Sequence, residues 1–480
     1  MNTEILLPVP ELKQALAGLN KLIGRKNTLP VLGHVRITRK NDGLVRLQGT
    51  DLDAHATYTL NNPQQGEVVD VLVPLEQLNK ASKCSGSKDA VAIVCEDQNT
   101  RLRYHIAGSQ VNQPIQPLPV GEWPSAPAIT IPSTPLPVGF GEALRQAMAC
   151  CSEDPSRAVL RGACLDARDA KAHYIIGTNG RFLYSANSFT FPMKEAVIVP
   201  DSKFINGSGL LDGDGCFMAL QTGKKPGDIR HICIENGPWR FVTREIEGQY
   251  PNWKQVLPVV DASWTLVKLQ PEALEQLLKV IPNLPGTDHE NKTLRLRTAY
   301  NCLWVEGRGR EDKDWTKIAI SEVTITGKMK EITLNRDYLL PALRFGLSEL
   351  AIQDELSPMV CSKEGKRMVI MPVRPMENAA AKPKQQTAPA AVPPVAEVKP
   401  VAEEKEPAMP KDNIKPEPVK PAETSLLSQI EQIRETVKNV VRDLTSLTDA
   451  AKQMERDKRA GEKEVETARS VLKKLQQVSI

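Results

Sequence analysis

The sequence predicts an α+β protein made of three tandem copies of one domain, each with two helices on a predominantly antiparallel sheet. Three observations predict it. An alternating apolar run leading into a glycine, with a second alternating run after it, occurs at residues 44–51, 172–179 and 303–308. The key glycines, Gly49, Gly177 and Gly307, lie 128 and 130 residues apart. Helical stripes begin near Glu11, Gly139 and Pro271, and apolar strands run straight into a helix start at Val73-Pro74, Val199-Pro200 and Leu334-Asn335, all on that same step. A solenoid unit is usually about 20–50 residues, so this longer period is domain-sized.

Each copy reads as helix, strands, glycine turn, strands, helix, strands. In the first, Leu12, Leu16, Leu19 and Ile23 recur at helical steps, which marks one buried stripe. Strands are expected at 35–38, 44–47, 54–60 and 68–73. Pro74 then fits the first position of a helix, where its missing N–H costs nothing, and Leu75, Leu78 and Ala81 form the next stripe. The second copy places helices at 139–151 and from Asp201, and the third at 271–278 and 335–345. Domains are expected at 1–127, 128–258 and 259–376, with boundaries near 124–132 and 258–262.

After Met376 the composition changes. Residues 377–423 are Ala, Pro, Lys and Glu with few large apolar side chains; such a segment reads as a disordered linker, because it cannot bury enough surface to offset its ordering entropy. From Leu426 through Ile430, Ile433, Val437, Val440, Leu444, Leu447, Ala451 and Met454 the apolar steps alternate between four and three. The pattern stumbles at Lys458 and Gly461 and resumes at Val465, Ala468, Leu472 and Leu475. Residues 424–480 therefore read as a heptad helix: a self-associating coiled coil, a hairpin bent at Gly461, or an amphipathic helix packed on its own domains.

Composition excludes several classes. A net charge of +4 on 480 residues does not announce a nucleic-acid binder, so such a role has to rest on where the cations sit. The nine cysteines show no CxxC or Cys/His ligand spacing and read as buried free thiols of a reducing compartment. The six histidines show no pair at metal-ligand spacing, and no Gly-Lys-Ser/Thr follows Gly177-Thr178-Asn179-Gly180, so neither a metal site nor a phosphate loop is expected. The run Asp212-Gly213-Asp214-Gly215 reads as a hairpin turn rather than a calcium loop. No apolar stretch approaches the roughly 20 residues of a membrane span and no secretory leader precedes the first strand; a cytoplasmic, non-catalytic protein without cofactor or membrane partner is expected.

Five segments, in order and on matching repeats, resemble the bacterial sliding clamp family, the beta subunit of DNA polymerase III. Gly24-Arg25-Lys26-Asn27-Thr28-Leu29-Pro30-Val31-Leu32-Gly33 and then Gly49-Thr50-Asp51-Leu52-Asp53 are similar to its GRPTLPILGN…GTDLE. Ser156-Arg157-Ala158-Val159-Leu160-Arg161-Gly162 resembles SRxxLxG, and Gly248-Gln249-Tyr250-Pro251-Asn252-Trp253-Lys254-Gln255-Val256-Leu257-Pro258 resembles GRFPDYRRVLP. Leu356-Ser357-Pro358 and Val369-Ile370-Met371-Pro372-Val373-Arg374 are similar to LSP…VVMPMR. The resemblance spans residues 1–376.

It implies a DNA-clamp fold in which two subunits close head to tail into a homodimeric ring, with sheets outside and helices lining the hole. Partners implied are double-stranded DNA without sequence specificity, a DNA polymerase catalytic subunit and an ATP-dependent clamp loader. A processivity factor is the expected function; a clamp-like paralogue acting as an interaction protein through its C-terminal helix, whose partner is unknown, is the alternative. Cations beside the apolar stripes are candidates for DNA contact: Lys13, Lys21, Arg25, Lys26, Lys80, Lys83, Arg145, Arg157, Lys203, Lys279, Arg336 and Arg344. A sliding protein needs such phosphate contacts without base readout. The family's partner-peptide pocket maps onto Thr178, Gly180, Arg181, Leu183, Pro251, Val256, Leu356, Met371, Pro372, Val373 and Arg374. Departures stand at Ala158 and Val159, where the family has a tyrosine pair, and at Asn179, Arg181 and Phe182 within its TDGHRL element.

Overall fold

The computed structural model describes residues 2–24, 29–96, 99–116, 118–223, 228–299 and 302–374. Arg25, Lys26, the expected linker 377–423 and the expected helical segment 424–480 lie outside these residues. The first repeat runs β1 (Asn2–Pro8), α1 (Val9–Leu22), β2 (His34–Arg39), β3 (Val45–Thr50), β4 (Ala54–Thr59), β5 (Val69–Pro74), α2 (Leu75–Cys84), β6 (Ala90–Glu96), β7 (Asn99–Ile106) and β8 (Ser109–Ile115). The second runs β9 (Thr134–Pro135), α3 (Phe140–Met148), β10 (Gly162–Asp166), β11 (His173–Thr178), β12 (Phe182–Phe189), β13 (Ala196–Pro200), α4 (Lys203–Gly207), β14 (Phe217–Gln221), β15 (His231–Asn236) and β16 (Trp239–Arg244). The third runs β17 (Thr265–Leu269), α5 (Pro271–Val280), β18 (Thr293–Ala299), β19 (Cys302–Gly307), β20 (Thr316–Ile320), β21 (Val323–Thr326), β22 (Glu331–Asn335), α6 (Arg336–Arg344), β23 (Glu349–Ile352), β24 (Met359–Lys363) and β25 (Lys366–Ile370).

The order is the same three times, with β21 the one insertion. So is the pairing. One half of each repeat gives β5-β2-β3-β4, β13-β10-β11-β12 and β22-β18-β19-β20; the other gives β1-β6-β7-β8, β9-β14-β15-β16 and β17-β23-β24-β25. Halves of successive repeats fuse edge to edge. Strand β4 pairs antiparallel with β16, and β12 with β25, which yields one sheet of eight strands and one of nine. The outer edges β8 and β20 remain unpaired among the described residues.

The repeated glycines do not form turns. Gly49, Gly177 and Gly307 lie inside β3, β11 and β19, where another part of the chain approaches too closely for a side chain. A Cβ at Gly49 would press on Leu19 and Ile23 at the end of α1, one at Gly177 would overlap the Ala147 carbonyl in α3, and one at Gly307 would meet Leu284 and Pro285 just beyond α5. In the first two repeats the first helix thus seats its C-terminal end on this strand position, and in the third the segment that follows α5 does. The helix ends also differ from expectation. Helix α3 stops at Met148, α4 is a short turn of helix ending at Gly207, and Pro74 caps α2 rather than beginning it.

One apolar core runs through all three repeats. At the first junction Trp239 lies edge-on to Tyr58 and Phe204, at 4.9 and 5.0 Å between ring centroids, and Gly18 leaves room for the indole beside α1. At the second, Tyr184 is edge-on to Phe345 at 5.5 Å, and Lys366 donates to Glu142 at 2.8 Å. All nine cysteines are free; five are buried and only Cys84 is exposed. Burial pushes the thiols of Cys164 and Cys361 up to about 12.

The glycine positions are expected to be intolerant. Gly177→Ala should lower stability by about 1–3 kcal/mol through overpacking, whereas Gly121→Ala, with open space around it, should change little. Denaturant unfolding of both variants checks this.

Candidate functional site

Lys13, Lys80, Lys83, Lys203, Lys279 and Arg344 are exposed on their helices. Exposed cations of this kind can neutralise phosphate oxygens while keeping their own hydration when unbound. Lys21 is exposed as well, but its ammonium donates to the Gly207 carbonyl at 2.5 Å and ties α1 to α4. Arg145 is half-buried and paired with Asp212 at 2.5 Å, so its charge is already partly answered. Lys279 lies within 3.9 Å of Glu275, one helical turn back.

Two candidates do other work. Arg336 is buried, with 2% of its surface exposed, and cannot reach a phosphate. Its guanidinium donates to the carbonyls of Ile281, Leu284, Pro285, Lys292 and Thr293. It is the clasp that closes the third repeat. Periodicity alone could not distinguish it from a surface cation, because the carbonyls it satisfies come from a loop distant in sequence. Arg157 is exposed but sits off the helices; it donates to the Asn179 carbonyl at 3.2 Å and lies 3.6 Å from Asp154. It braces the β11–β12 turn.

That turn opens the groove between the second and third repeats. Thr178 is buried and its hydroxyl donates to the Phe182 carbonyl at 2.6 Å while accepting from the Gly180 N–H at 3.0 Å. Gly180 takes a φ of +84°, a region that glycine enters freely. The Asn179 side chain accepts from the N–H groups of Arg181 and Phe182 at 2.9 and 3.2 Å. Strand β12 then pairs with β25, setting Leu183 opposite Val369, and the Met371 N–H donates to the Arg181 carbonyl at 3.1 Å.

The floor is apolar. Leu183 belongs to a buried cluster with Leu160, Ile176, Ile198, Tyr250 and Trp253, and Val369 to a second with Trp264, Ala351 and Val360; Leu257 packs on both. Around it Val256, Leu356 and Met371 are exposed by 49, 56 and 43%. Pro251 is exposed, Pro372 and Val373 are half-buried, and Arg374 is exposed. Large apolar side chains held at the surface beside a buried floor fit the uptake of an apolar peptide. On one wall Phe182 packs on Tyr338 at 5.0 Å, and Arg181 donates to the Tyr338 hydroxyl at 3.2 Å. Sequence reading missed Leu257, Val369 and Tyr338; the first two stand in runs already matched to the family, and Tyr338 gave no signal.

Behind the groove, the Trp253 indole N–H donates to Asp166 at 2.9 Å and Arg168 pairs with the same carboxylate at 2.7 Å. Burial raises the Asp166 pKa, but the hydrogen bonds from Arg168 and Trp253 outweigh it and bring the carboxyl down to about 2.

The turn between β3 and β4 repeats the geometry at the first junction. Thr50 donates to the Ala54 carbonyl at 2.8 Å and accepts from the Leu52 N–H at 3.0 Å, and Leu52 takes a φ of +83°. Arg244 N–H donates to the Asp53 carbonyl at 3.2 Å, as Met371 does to Arg181. Here Ala54 stands in the place of Phe182, and a cleft of about 580 Å³ opens, lined by Lys21, Asp51, Arg161, Asp201, Lys203 and Glu245 among others. The 212–215 run is a turn: Asp214 accepts from the Gly139 N–H at 3.1 Å ahead of α3. Among the described residues no group of three His, Cys, Asp or Glu side chains could hold a metal ion, and no helix is long and apolar enough to cross a membrane.

No family model matches the chain. The beta sliding clamp of Pseudomonas putida is 22% identical over 379 residues, covering 75% of this chain and 96% of its own length; that of Pseudomonas aeruginosa is 22% identical over 341 residues, covering 69% and 86%. The crystal structure of DNA polymerase III subunit beta from P. aeruginosa matches with a TM-score of 0.62 at 20% identity, over 78% of this chain and all of that one. The subunit from Thermotoga maritima matches at 0.63 with 15% identity and the same coverage, and a P. aeruginosa DnaN sliding clamp bound to griselimycin at 0.63 with 20% identity. The described part of this chain has the fold of the DNA sliding clamps. Over about 78% of its length it resembles the bacterial beta sliding clamps, DNA polymerase III subunit beta.

Two outcomes follow from the side chains that hold this site. Replacing Arg336 with Met removes the guanidinium from the carbonyls of Ile281, Leu284, Pro285 and Thr293 and should lower stability by about 3 kcal/mol or more, read by denaturant unfolding. Because the folded pKa of Asp166 lies below its unfolded value, its contribution is present above about pH 4 and is lost as pH falls through about 2. Asp166→Asn should therefore be less stable than the parent at neutral pH by roughly 2 kcal/mol, with the difference shrinking in acid unfolding titrations.

Proposed function

We propose that this protein is a DNA sliding clamp: two copies close head to tail around duplex DNA and tether a replicative polymerase through the apolar groove between repeats two and three. The observation that carries the reading is the strand bookkeeping. Each junction inside the chain joins the fourth strand of one repeat to the last strand of the next. Among the described residues the fourth strand β20 and the last strand β8 are left without such a partner, one of each kind, so a second copy completes the pattern at both ends. A heterologous contact of this type closes when its rotation closes.

On this reading the domains span 1–127, 128–258 and 259–376, and the exposed cations Lys13, Lys80, Lys83, Lys203, Lys279 and Arg344 face the DNA. They hold phosphates without reading bases, so the ring slides. Topology keeps the polymerase local, and every rebinding becomes an intramolecular event at high effective concentration. A closed ring admits circular DNA only after opening, which calls for an ATP-dependent loader. The groove takes partner peptides one at a time: exposed Met371 adapts to different apolar side chains, while Arg181 and Arg374 favour acidic residues beside them.

Three measurements test this. The loaded protein should stay on closed circular DNA and leave when the circle is cut; equal loss from both forms overturns the proposal. Replacing Lys13, Lys83 and Lys203 with alanine should weaken retention equally for all sequences and reduce the slope of log affinity against log salt by roughly one for each phosphate left without its cation. Met371→Asp should abolish polymerase stimulation while leaving retention on circles unchanged; stimulation at the parental level removes the groove from the proposal.

A further inference from the structure

We infer that the third repeat carries a docking socket at the position where the first two repeats bury a tryptophan of their own, and that this socket takes a Phe or Tyr side chain flanked by a carboxylate from a partner protein. Neither the ring nor the groove proposed above is involved.

The first two repeats share one spacing. Trp123 and Trp253 each stand fourteen residues after the start of their repeat's last strand, Ser109 and Trp239. Both are enclosed, at 9 and 1% exposure. Trp123 packs on Val31, Leu32 and Leu72, and Trp253 on Leu160 and Ile198; Leu72 and Ile198 hold the same register position in their sheets. The third repeat begins in the same way. The Ile246 N–H donates to the Ile198 carbonyl at 3.1 Å, and the Val373 N–H to the equivalent Thr333 carbonyl at 2.8 Å. Counted from Lys366, however, the tryptophan position falls on Ala380, and no Phe, Trp or Tyr occurs anywhere after Phe345. The chain beyond β25 has no ring to supply.

The site itself is open. In the second repeat Trp253 lies edge-on to Tyr174 at 4.8 Å and donates to Asp166 at 2.9 Å. Tyr174 stands three residues before Gly177 and pairs across the strands with Asp166. The residue three before Gly307 is Trp304, and its cross-strand partner is Arg297. Here a cavity of about 480 Å³ is lined by Arg297, Trp304, Met329, Lys330 and Glu331 among others, a size in the range of ligand pockets. The neighbouring part of the face is closed. Glu306 is fully buried, and the Trp315 ring lies against the guanidinium groups of Arg295 and Arg308 at 4.1 and 4.9 Å.

Two differences from the second repeat define the occupant. Asp166 accepts the indole N–H of Trp253, whereas Arg297 can only donate, and its Nε is enclosed without an acceptor among the described residues. Three cations, Arg295, Arg297 and Lys330, stand with two carboxylates, Glu306 and Glu331, so the wall keeps a net positive charge. A ring with a carboxylate beside it answers that wall; an indole N–H does not. The second difference is Met329, 68% exposed at the mouth of the cavity. A thioether and the Trp304 ring both favour an aromatic neighbour. The loop that carries Met329 follows β21, the insertion found in this repeat alone, and it is fixed in place. Thr298 and Lys330 exchange backbone and side-chain bonds at 2.9 and 2.8 Å, and the Thr265 hydroxyl donates to the Lys328 carbonyl at 2.6 Å. The wall is therefore built before a ligand arrives. One ring platform with Glu331 on its rim suits a peptide rather than a single-stranded nucleic acid, which stacks successive bases along a cationic groove.

The test selects displayed peptides on the full chain carrying Met371→Asp, which blocks the groove, and counter-selects with the chain that also carries Met329→Asp. Peptides with Phe or Tyr beside Asp or Glu should be enriched. The leading one, made synthetically, should shift the indole N–H resonance of Trp304, assigned with Trp304→Phe. Its affinity should fall about tenfold or more in Met329→Asp and about tenfold in Arg297→Met; should Arg297→Met fail to fold, Lys330→Met is expected to weaken binding about threefold. No enrichment, or peptides that bind Met329→Asp as tightly as the parent, overturns the socket. Enriched peptides without a ring, or with tryptophan and no acid, overturn the occupant, as does an affinity unchanged when the cation is removed. An oligothymidylate that shifts the Trp304 resonance where no peptide does assigns the site to single-stranded nucleic acid and overturns the inference as well.

Discussion

The backbone ladder that runs uninterrupted from one repeat into the next is the constraint on which the rest depends. A loose chain of three domains could hinge at each boundary. Here β4 with β16 and β12 with β25 make the boundaries into interior positions of continuous sheets, so bending at a junction means breaking main-chain hydrogen bonds. The groove inherits its shape from this arrangement. Its two walls are successive repeats, and the strand pair between them fixes Leu183 against Val369 before any ligand arrives. A peptide bound there, as proposed, would meet a floor that costs no ordering entropy to build.

Helix seating is the second constraint, and it acts through absence of a side chain. At Gly49 and Gly177 the end of the first helix rests directly on a strand, and at Gly307 the segment 284–285 beyond α5 does. That contact sets the distance between the first helices and the sheet, and hence where Lys13 on α1 stands. Electrostatics is then left free to be generic. Among the described residues most of the cations proposed to face DNA pair with no carboxylate, whereas Arg336, Arg157 and Arg145 spend their charges on carbonyls and carboxylates of their own chain.

Much of the architecture was legible in the residues, and the reason is the repeat. A pattern seen three times at one spacing exposes positions that no single copy would, and the glycines and the strand-to-helix joints were found in that way. The glycines were misread as turns because glycine in a strand and glycine in a turn leave the same trace; only the helix packed above them separates the two cases. Helix ends were off by a few residues where caps and short 3-10 segments take over, as after Met148. The residues proposed for the groove were named from the segments that match the family, 178–183, 248–258, 356–358 and 369–374. Tyr338 was not among them, since it comes from the distant helix α6, and Leu257 was passed over although it adjoins Val256. Arg336 was misassigned for the converse reason: sequence shows a cation on a helix and says nothing of the loop that folds over it.

The burial of the thiols bears on oxidative wear. A sulfur must be both deprotonated and reachable before peroxide or a disulfide can attack it. Cys164 and Cys361 meet neither condition, and Cys150, Cys216 and Cys233 are enclosed in the core as well. Cys84, at the end of α2 beside Lys83, stands apart in facing solvent. Chemical ageing of the folded molecule would thus begin on that helix, next to a cation proposed to face DNA, long before it reached the packed interior.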